Sequence, residues 1–191
     1  MKLFNDFINS ISPLSKESRD LLVALVRIKK LKKGDSIVKI GERPKDIYVL
    51  KSGVIRSFDT DTKGKEYNRQ IFIPYKILGA LRALLLNKPS RFSYDCLSDC
   101  EVYAVNFKNL KELIKKDKQI CRFYASALEV VYLTLESKVY DLSVLNATER
   151  YIKLKKKIPN IENLIPQYHI ASYLNITPVQ LSRIRKKIFS K

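Results

Sequence analysis

From about Ile28 to Phe107 the chain is a series of short runs rich in Val, Ile, Tyr and Phe. They are broken by turn signals at Gly34-Asp35, Gly41, Pro44, Ser52-Gly53, Asp59 to Gly64, Asn87 to Pro89 and Ser98-Asp99. Punctuation at roughly 8–12 residues is the mark of an antiparallel sandwich or barrel, because each turn returns a short strand across its neighbour. One stretch, Ile77 to Leu86, is too long and too rich in Leu and Ala for a strand, and predicts a short helix. Helical spacing flanks the block. Leu3, Phe4, Phe7, Ile8 and Ile11 form one stripe, and Leu21, Leu22, Leu25 and Val26 a second after Ser15 as N-cap.

The segment from Lys108 to Asn146 is helical and unusually apolar. Between Phe123 and Leu135, ten of thirteen residues are apolar. A helix on one surface needs one apolar stripe, whereas a helix apolar nearly all round is covered all round. A chain of 191 residues has one β core to cover one face. A second copy of the same helix is the simplest cover for the other. Phe123, Tyr124, Ala127, Val131 and Leu135 are the candidate dimer residues.

Charge adds a second constraint. Lys and Arg number 37 against 19 Asp and Glu, a formal net charge of +18. Residues 149–191 hold ten basic and two acidic side chains, so this tail is nearly three times as basic per residue as the rest. An excess of this kind favours a polyanion, either nucleic acid or an anionic surface. The absence of any apolar run of about 18 residues argues against a membrane span. The broken N-terminus MKLFNDFINSISPLSKES argues against a signal peptide. The expectation is a soluble cytoplasmic protein.

The tail itself predicts three short helices. Thr148 is a candidate cap for a helix through Lys157, ended by Pro159-Asn160, and Pro166 is placed to open the next at its first helical position. Thr177-Pro178 is a stronger start signal for a helix from Val179 to Ile188. Asn175 suits the left-handed conformation that a sharp reversal between the last two helices requires. Leu181, Ile184 and Ile188 form one face at i, i+3 and i+7. Gln180, Ser182, Arg183, Lys186 and Lys187 form the opposite one. This pattern is a helix-turn-helix with a recognition helix for the major groove. Arg183 would read guanine, Lys186 and Lys187 would neutralise phosphates, and Thr177 with the free amides would hold a phosphate.

Over residues 20–191 the chain resembles the Crp/Fnr family of bacterial transcription regulators. The resemblance rests on LKKGDSIVKIGERPKDIYVLKSGVIRSF in the β block and PQYHIASYLNITPVQLSRIRKKI in the tail. It implies an α+β chain in three parts: a cyclic-nucleotide-binding-like β-roll (jelly roll) sensor over 1–117, a dimerisation helix over 118–146 and a winged-helix-like helix-turn-helix domain over 147–191. Double-stranded DNA, a second copy of the chain and possible contact with RNA polymerase follow as partners. Only Phe189-Ser190-Lys191 follows the recognition helix, so Asn160 to Ile165 is the one candidate for a remnant of the family's β-hairpin wing.

The cyclic AMP cassette of the family is altered. Gly79 matches, but Ala80 stands where the ribose-binding carboxylate belongs. Ser90 falls at the phosphate-gripping arginine, with Arg91 one residue off and turned outward by that slip. Losing the carboxylate costs roughly 1–3 kcal/mol and losing the charge-assisted phosphate pair more. Cyclic AMP is therefore not the expected effector, and another small ligand or none stays open. Arg82 and Arg91 read as exposed side chains. Three cysteines (Cys96, Cys100, Cys121) fall short of an iron–sulfur set, and the single histidine, His169, lies in the DNA-reading segment, which argues against haem sensing. Cys96 and Cys100 read as small buried residues, His169 as structural or as a phosphate contact, and no metal site is expected.

The family's base-reading positions carry Pro178 and Val179. Val179 could meet a thymine methyl, so the family's usual half-site is not assumed. The alternative reading is a ligand-binding or protein-interaction module with only non-specific DNA binding. An enzyme is excluded by the lack of any phosphate loop, metal triad or Ser/His/Asp set.

Overall fold

The computed structural model describes residues 2–189. Two helices, α1 (Lys2–Ile11) and α2 (Lys16–Ala24), precede eight strands. Ser15 caps α2 as the sequence predicts, its side chain accepting from the Ser18 amide. The strands are β1 (Val26–Leu31), β2 (Ser36–Val38), β3 (Asp46–Ser52), β4 (Ile55–Thr60), β5 (Glu66–Phe72), β6 (Ile77–Leu78), β7 (Ser93–Cys96) and β8 (Cys100–Asn106). They form two four-stranded antiparallel sheets, ordered β1-β8-β3-β6 and β2-β7-β4-β5. Inward side chains of both sheets, among them Leu50, Ile55, Tyr94 and Val102, fill the roll.

Two boundaries move. Val26 and Arg27 belong to β1 rather than to the preceding helix, because Val26 pairs with Val105. The segment Ile77 to Leu86 is split: Ile77 and Leu78 pair with β3, and the helix α3 is only Leu81–Leu86. Gly79 makes the break with φ at 138°, a conformation strained for any residue with a Cβ.

Two further helices, α4 (Phe107–Lys116) and α5 (Lys118–Val144), follow the roll. Ile120, Phe123 and Ala127, at i, i+3 and i+7, turn inward. Ile120 and Phe123 join a core with Phe4, Phe7, Ile8, Tyr103 and Leu110. The chain closes with α6 (Ala147–Lys157), α7 (Ile161–Leu164), α8 (Gln167–Tyr173) and α9 (Pro178–Phe189). The cap of α6 is Asn146 rather than Thr148. Asn146 accepts from the Thr148 and Glu149 amides while Glu149 reaches back to the Asn146 amide, so a reciprocal capping box wins over a lone hydroxyl. Pro166 is the N-cap of α8 rather than its first turn. Residues 160–165 hold the one-turn helix α7, not a hairpin, and Ile161 and Ile165 anchor it in the core.

The third core joins the two ends of the molecule. Val54, Ile71 and Leu97 of the roll pack with Tyr151, Leu154, Ile161, Ile170, Leu174 and Leu181. The helical tail therefore shares its core with the roll. Among the described residues no helix is long and apolar enough to cross a membrane, and no group of three or more His, Cys, Asp or Glu could hold a metal ion.

Candidate nucleic-acid interface

The reversal from α8 to α9 is made by local chemistry. Asn175 takes φ of 56°, and the Ile176 amide donates to the Ala171 carbonyl at 3.0 Å. Thr177 and Gln180 then exchange hydrogen bonds. The Thr177 amide donates to Gln180 Oε1 at 2.9 Å, and the Gln180 amide donates to Thr177 Oγ1 at 3.2 Å. This box fixes where α9 begins. Leu181 is fully buried and Ile184 and Ile188 pack beside it, which turns Thr177, Pro178, Val179, Gln180, Ser182, Arg183, Lys186 and Lys187 to solvent. Gln180 is partly engaged in the cap, so its amide NH2 is what it offers outward. Val179 is 59% exposed, an apolar side chain between Pro178 and Gln180.

What the sequence does not reveal is how this unit is held. Arg56, on β4, is buried against α8. Its guanidinium forms an ion pair with Glu66 Oε2 at 2.5 Å and donates to Asp95 Oδ2 at 3.4 Å, Asn68 Oδ1 at 3.2 Å and His169 Nδ1 at 3.3 Å. Asn68 Nδ2 also donates to His169, at 3.2 Å to Nδ1 and 3.0 Å to the carbonyl. Both neighbours of Nδ1 are donors, so the ring carries its proton on Nε2. Burial and the adjacent Arg56 charge lower the His169 pKa to about 4. A second tie runs from α5: Lys138 donates to the Tyr173 carbonyl at 2.6 Å with its ammonium over the Tyr173 ring, and burial lowers its pKa to about 8. Arg150 Nε donates to the Leu174 carbonyl at 3.1 Å. An arginine inside VIRSF and a histidine inside an apolar helix were the available signals, but neither names its partner.

The low pKa of His169 makes stability depend on pH. The folded state keeps the ring neutral, while the unfolded chain protonates it near its ordinary 6.5. This contribution is complete above about pH 6.5 and declines as pH falls towards 4, where the folded form also takes the proton. At about 1.4 kcal/mol per unit, the full decline approaches about 3.5 kcal/mol. Urea unfolding of the wild type and of His169→Asn, which keeps an acceptor without a titrating ring, should diverge in pH dependence over that interval. Parallel curves would contradict the assignment.

The sequence-predicted dimer residues separate into two groups. Phe123 and Ala127 are buried within their own chain, because α5 rests that face on the roll and N-terminal helices, and Tyr124 and Val131 are half-buried. The free face lies round the helix from them. Ala125, Tyr132 and Val139 repeat every seven residues, and Leu128, Leu135 and Leu142 repeat in step three residues later. Tyr132 is 67% exposed and Val139 64%. Ala125, Leu128, Glu129, Tyr132 and Leu133 line a shallow apolar depression of about 510 Å³.

In the roll, Ala80 is the N-cap of α3 and is buried without a side-chain cap bond. Ser90 is also buried, and its hydroxyl donates to the Phe92 carbonyl at 2.7 Å. Arg82 and Arg91 are both exposed. The Tyr94 hydroxyl donates to the Gly79 carbonyl at 2.9 Å, and its ring stacks on Phe72. Cys96 and Cys100 are buried, as small core residues should be, and Cys100 Sγ donates to the Ser98 carbonyl at 3.2 Å and the Val54 carbonyl at 3.5 Å.

The fold is a two-sheet roll, a long helix and a helix-turn-helix packed on the roll. Residues 28–117 match the cyclic nucleotide-binding domain family. No curated protein matches the sequence. Solved structures with the same fold include FixK2 from Bradyrhizobium japonicum (19% identity, 86% of this chain and 85% of that one, TM-score 0.70). The Thermus thermophilus catabolite activator protein is another (20%, 94% and 86%, TM-score 0.57). A Eubacterium rectale protein described as a transcriptional regulator of the Crp/Fnr family aligns over 98% of this chain and 87% of its own, with 12% identity and a TM-score of 0.71. Residues 28–117 are thus similar to cyclic nucleotide-binding domains, and the fold is that of solved structures that include a Crp/Fnr transcription regulator.

Proposed function

We propose that the protein is a homodimeric, sequence-specific DNA-binding transcription regulator of the Crp/Fnr type, acting in the cytoplasm. The observation that carries this reading is α9. Its apolar side is spent in the shared core, and Val179, Ser182, Arg183, Lys186 and Lys187 face solvent on a fixed helix. The heptad face of α5 supports the dimer, since two copies pairing there would cover side chains that one copy leaves in water. A two-fold pair of recognition helices about 34–36 Å apart would address successive major grooves.

Cyclic AMP is not the effector. Ala80 offers no carboxylate to a ribose hydroxyl, Ser90 is tied back to Phe92, and Arg91 faces solvent. The Gly79 carbonyl is already engaged by Tyr94. Calorimetry with millimolar cyclic AMP should register no binding, and saturable binding would overturn this part of the reading.

Arg183 tests the DNA contact itself. Arg183→Ala should lower affinity for the preferred duplex by about 1–3 kcal/mol and relax one base position in each half-site. Equal loss on every sequence would make Arg183 a phosphate contact, and no loss would remove it from the interface.

A further inference from the structure

The β4–β5 hairpin of the roll lies beside the start of the recognition helix. Lys65, Tyr67 and Asn68 form one wall of a cleft of about 390 Å³, and Thr177, Pro178 and Gln180 form another. The hairpin is fastened there. The Asn68 amide donates to Ser172 Oγ at 2.8 Å, Asn68 Nδ2 donates to the His169 carbonyl, and Ile71 enters the core that holds Leu181. Its tip is equally fixed. The Asp61 amide donates to the Lys65 carbonyl at 3.0 Å, and Gly64, with φ of 79°, donates to the Asp61 carbonyl at 3.0 Å.

The hairpin's carboxylates have internal duties. Asp61 accepts from the Lys63 amide at 2.9 Å, the Lys65 amide at 3.0 Å and the Tyr67 hydroxyl at 3.0 Å. Glu66 is paired with Arg56, and Asp59 accepts from the Thr60 amide. Lys63 and Lys65 are exposed, and neither ammonium is in an ion pair among the described residues. Lys65 Nζ instead lies over the Tyr67 ring at 4.9 Å. Lys65 thus stands across the cleft from the N-terminal end of α9, with Lys63 two residues away on the same tip.

We infer that the sensor hairpin itself grips the DNA, with Lys63 and Lys65 holding the phosphate backbone next to the groove that α9 reads. The inference rests on the DNA-binding reading and extends it, giving the roll a direct share in the contact. A duplex backbone fits the site because it is a continuous polyanion passing the α9 N-terminus, and these contacts would position without reading sequence. The arrangement also means that any ligand moving β4–β5 would act on DNA affinity at once.

The test measures affinity against salt concentration for the wild type and for the Lys63→Ala, Lys65→Ala double variant. It uses both the preferred duplex and a scrambled one. Both positions are on the surface, so the variant should fold and dimerise as the wild type does. Removing one phosphate contact lowers the slope of log K against log salt by about 0.9. The double variant should lose nearly two units of slope, equally on the two duplexes, and Lys65→Arg should keep its share. An unchanged slope and affinity, with wild-type binding intact, would overturn the hairpin's role alone. Failure of the wild type to bind duplex would overturn the DNA-binding reading and this inference with it.

Discussion

Tyr132→Asp combined with Leu135→Asp should convert the protein to a monomer that keeps its fold. Both side chains are exposed in the single chain, at 67% and 39%, so neither carboxylate is forced into the subunit's own core. In a pair of α5 helices the same positions fall on the two heptad rows, and a charge there meets its own copy. Like charges facing each other in an apolar seam must be desolvated without a partner, which an interface does not tolerate. The loss then propagates to DNA. Two linked recognition helices bind far more tightly than either alone, commonly by 10²–10⁴. Affinity for a two-fold symmetric duplex should fall at least about a hundredfold, while binding to a single half-site changes little. Sedimentation and duplex titration read the two effects separately. A variant that stays dimeric would place the interface elsewhere.

Arg56→Ala should be the most damaging single change at the junction of roll and tail. The guanidinium is buried, and Glu66, Asp95, Asn68 and His169 all turn towards it. Its removal leaves two carboxylates unbalanced and the Asn68 amide oxygen without its donor, while His169 Nδ1 keeps only Asn68 Nδ2. Breaking a buried pair from one side costs roughly 3–5 kcal/mol. The partial exposure of Glu66 and Asp95 places the expectation near the lower end, about 3 kcal/mol. Because Val54, Ile71 and Leu97 share a core with the tail, the melting transition should shift as a whole. Denaturant unfolding checks this. A loss under about 1 kcal/mol would mean that the network is incidental to the packing.

The parts legible in the sequence are those made by neighbours in the chain. Asn175, Thr177 and the Leu181, Ile184 and Ile188 stripe announced the helix-turn-helix because a turn, a cap and a period of 3.6 are local. The strand block was legible for the same reason, through its turns. The apolar density of 123–135 announced a helix covered on more than one side. It did not say which side its own roll would cover, because that depends on where α1 and α4 lie. Phe123 and Ala127 went inward, and the free seam fell to Tyr132, Leu135 and Val139. The Arg56–His169 contact joins residues 113 positions apart, and the sequence says only that each would need a partner if buried. Residues 160–165, the one candidate for a wing remnant, form a one-turn helix instead, because Ile161 and Ile165 are buried in the shared core.

A dimeric reader of DNA sequence should select its own two-fold site. Selection from a random duplex pool by the purified protein, at near-physiological salt and with no effector added, tests it most directly. A two-fold symmetric site whose half-sites lie about one helical turn apart should be enriched. Retention of the pool without enrichment of any sequence would contradict it.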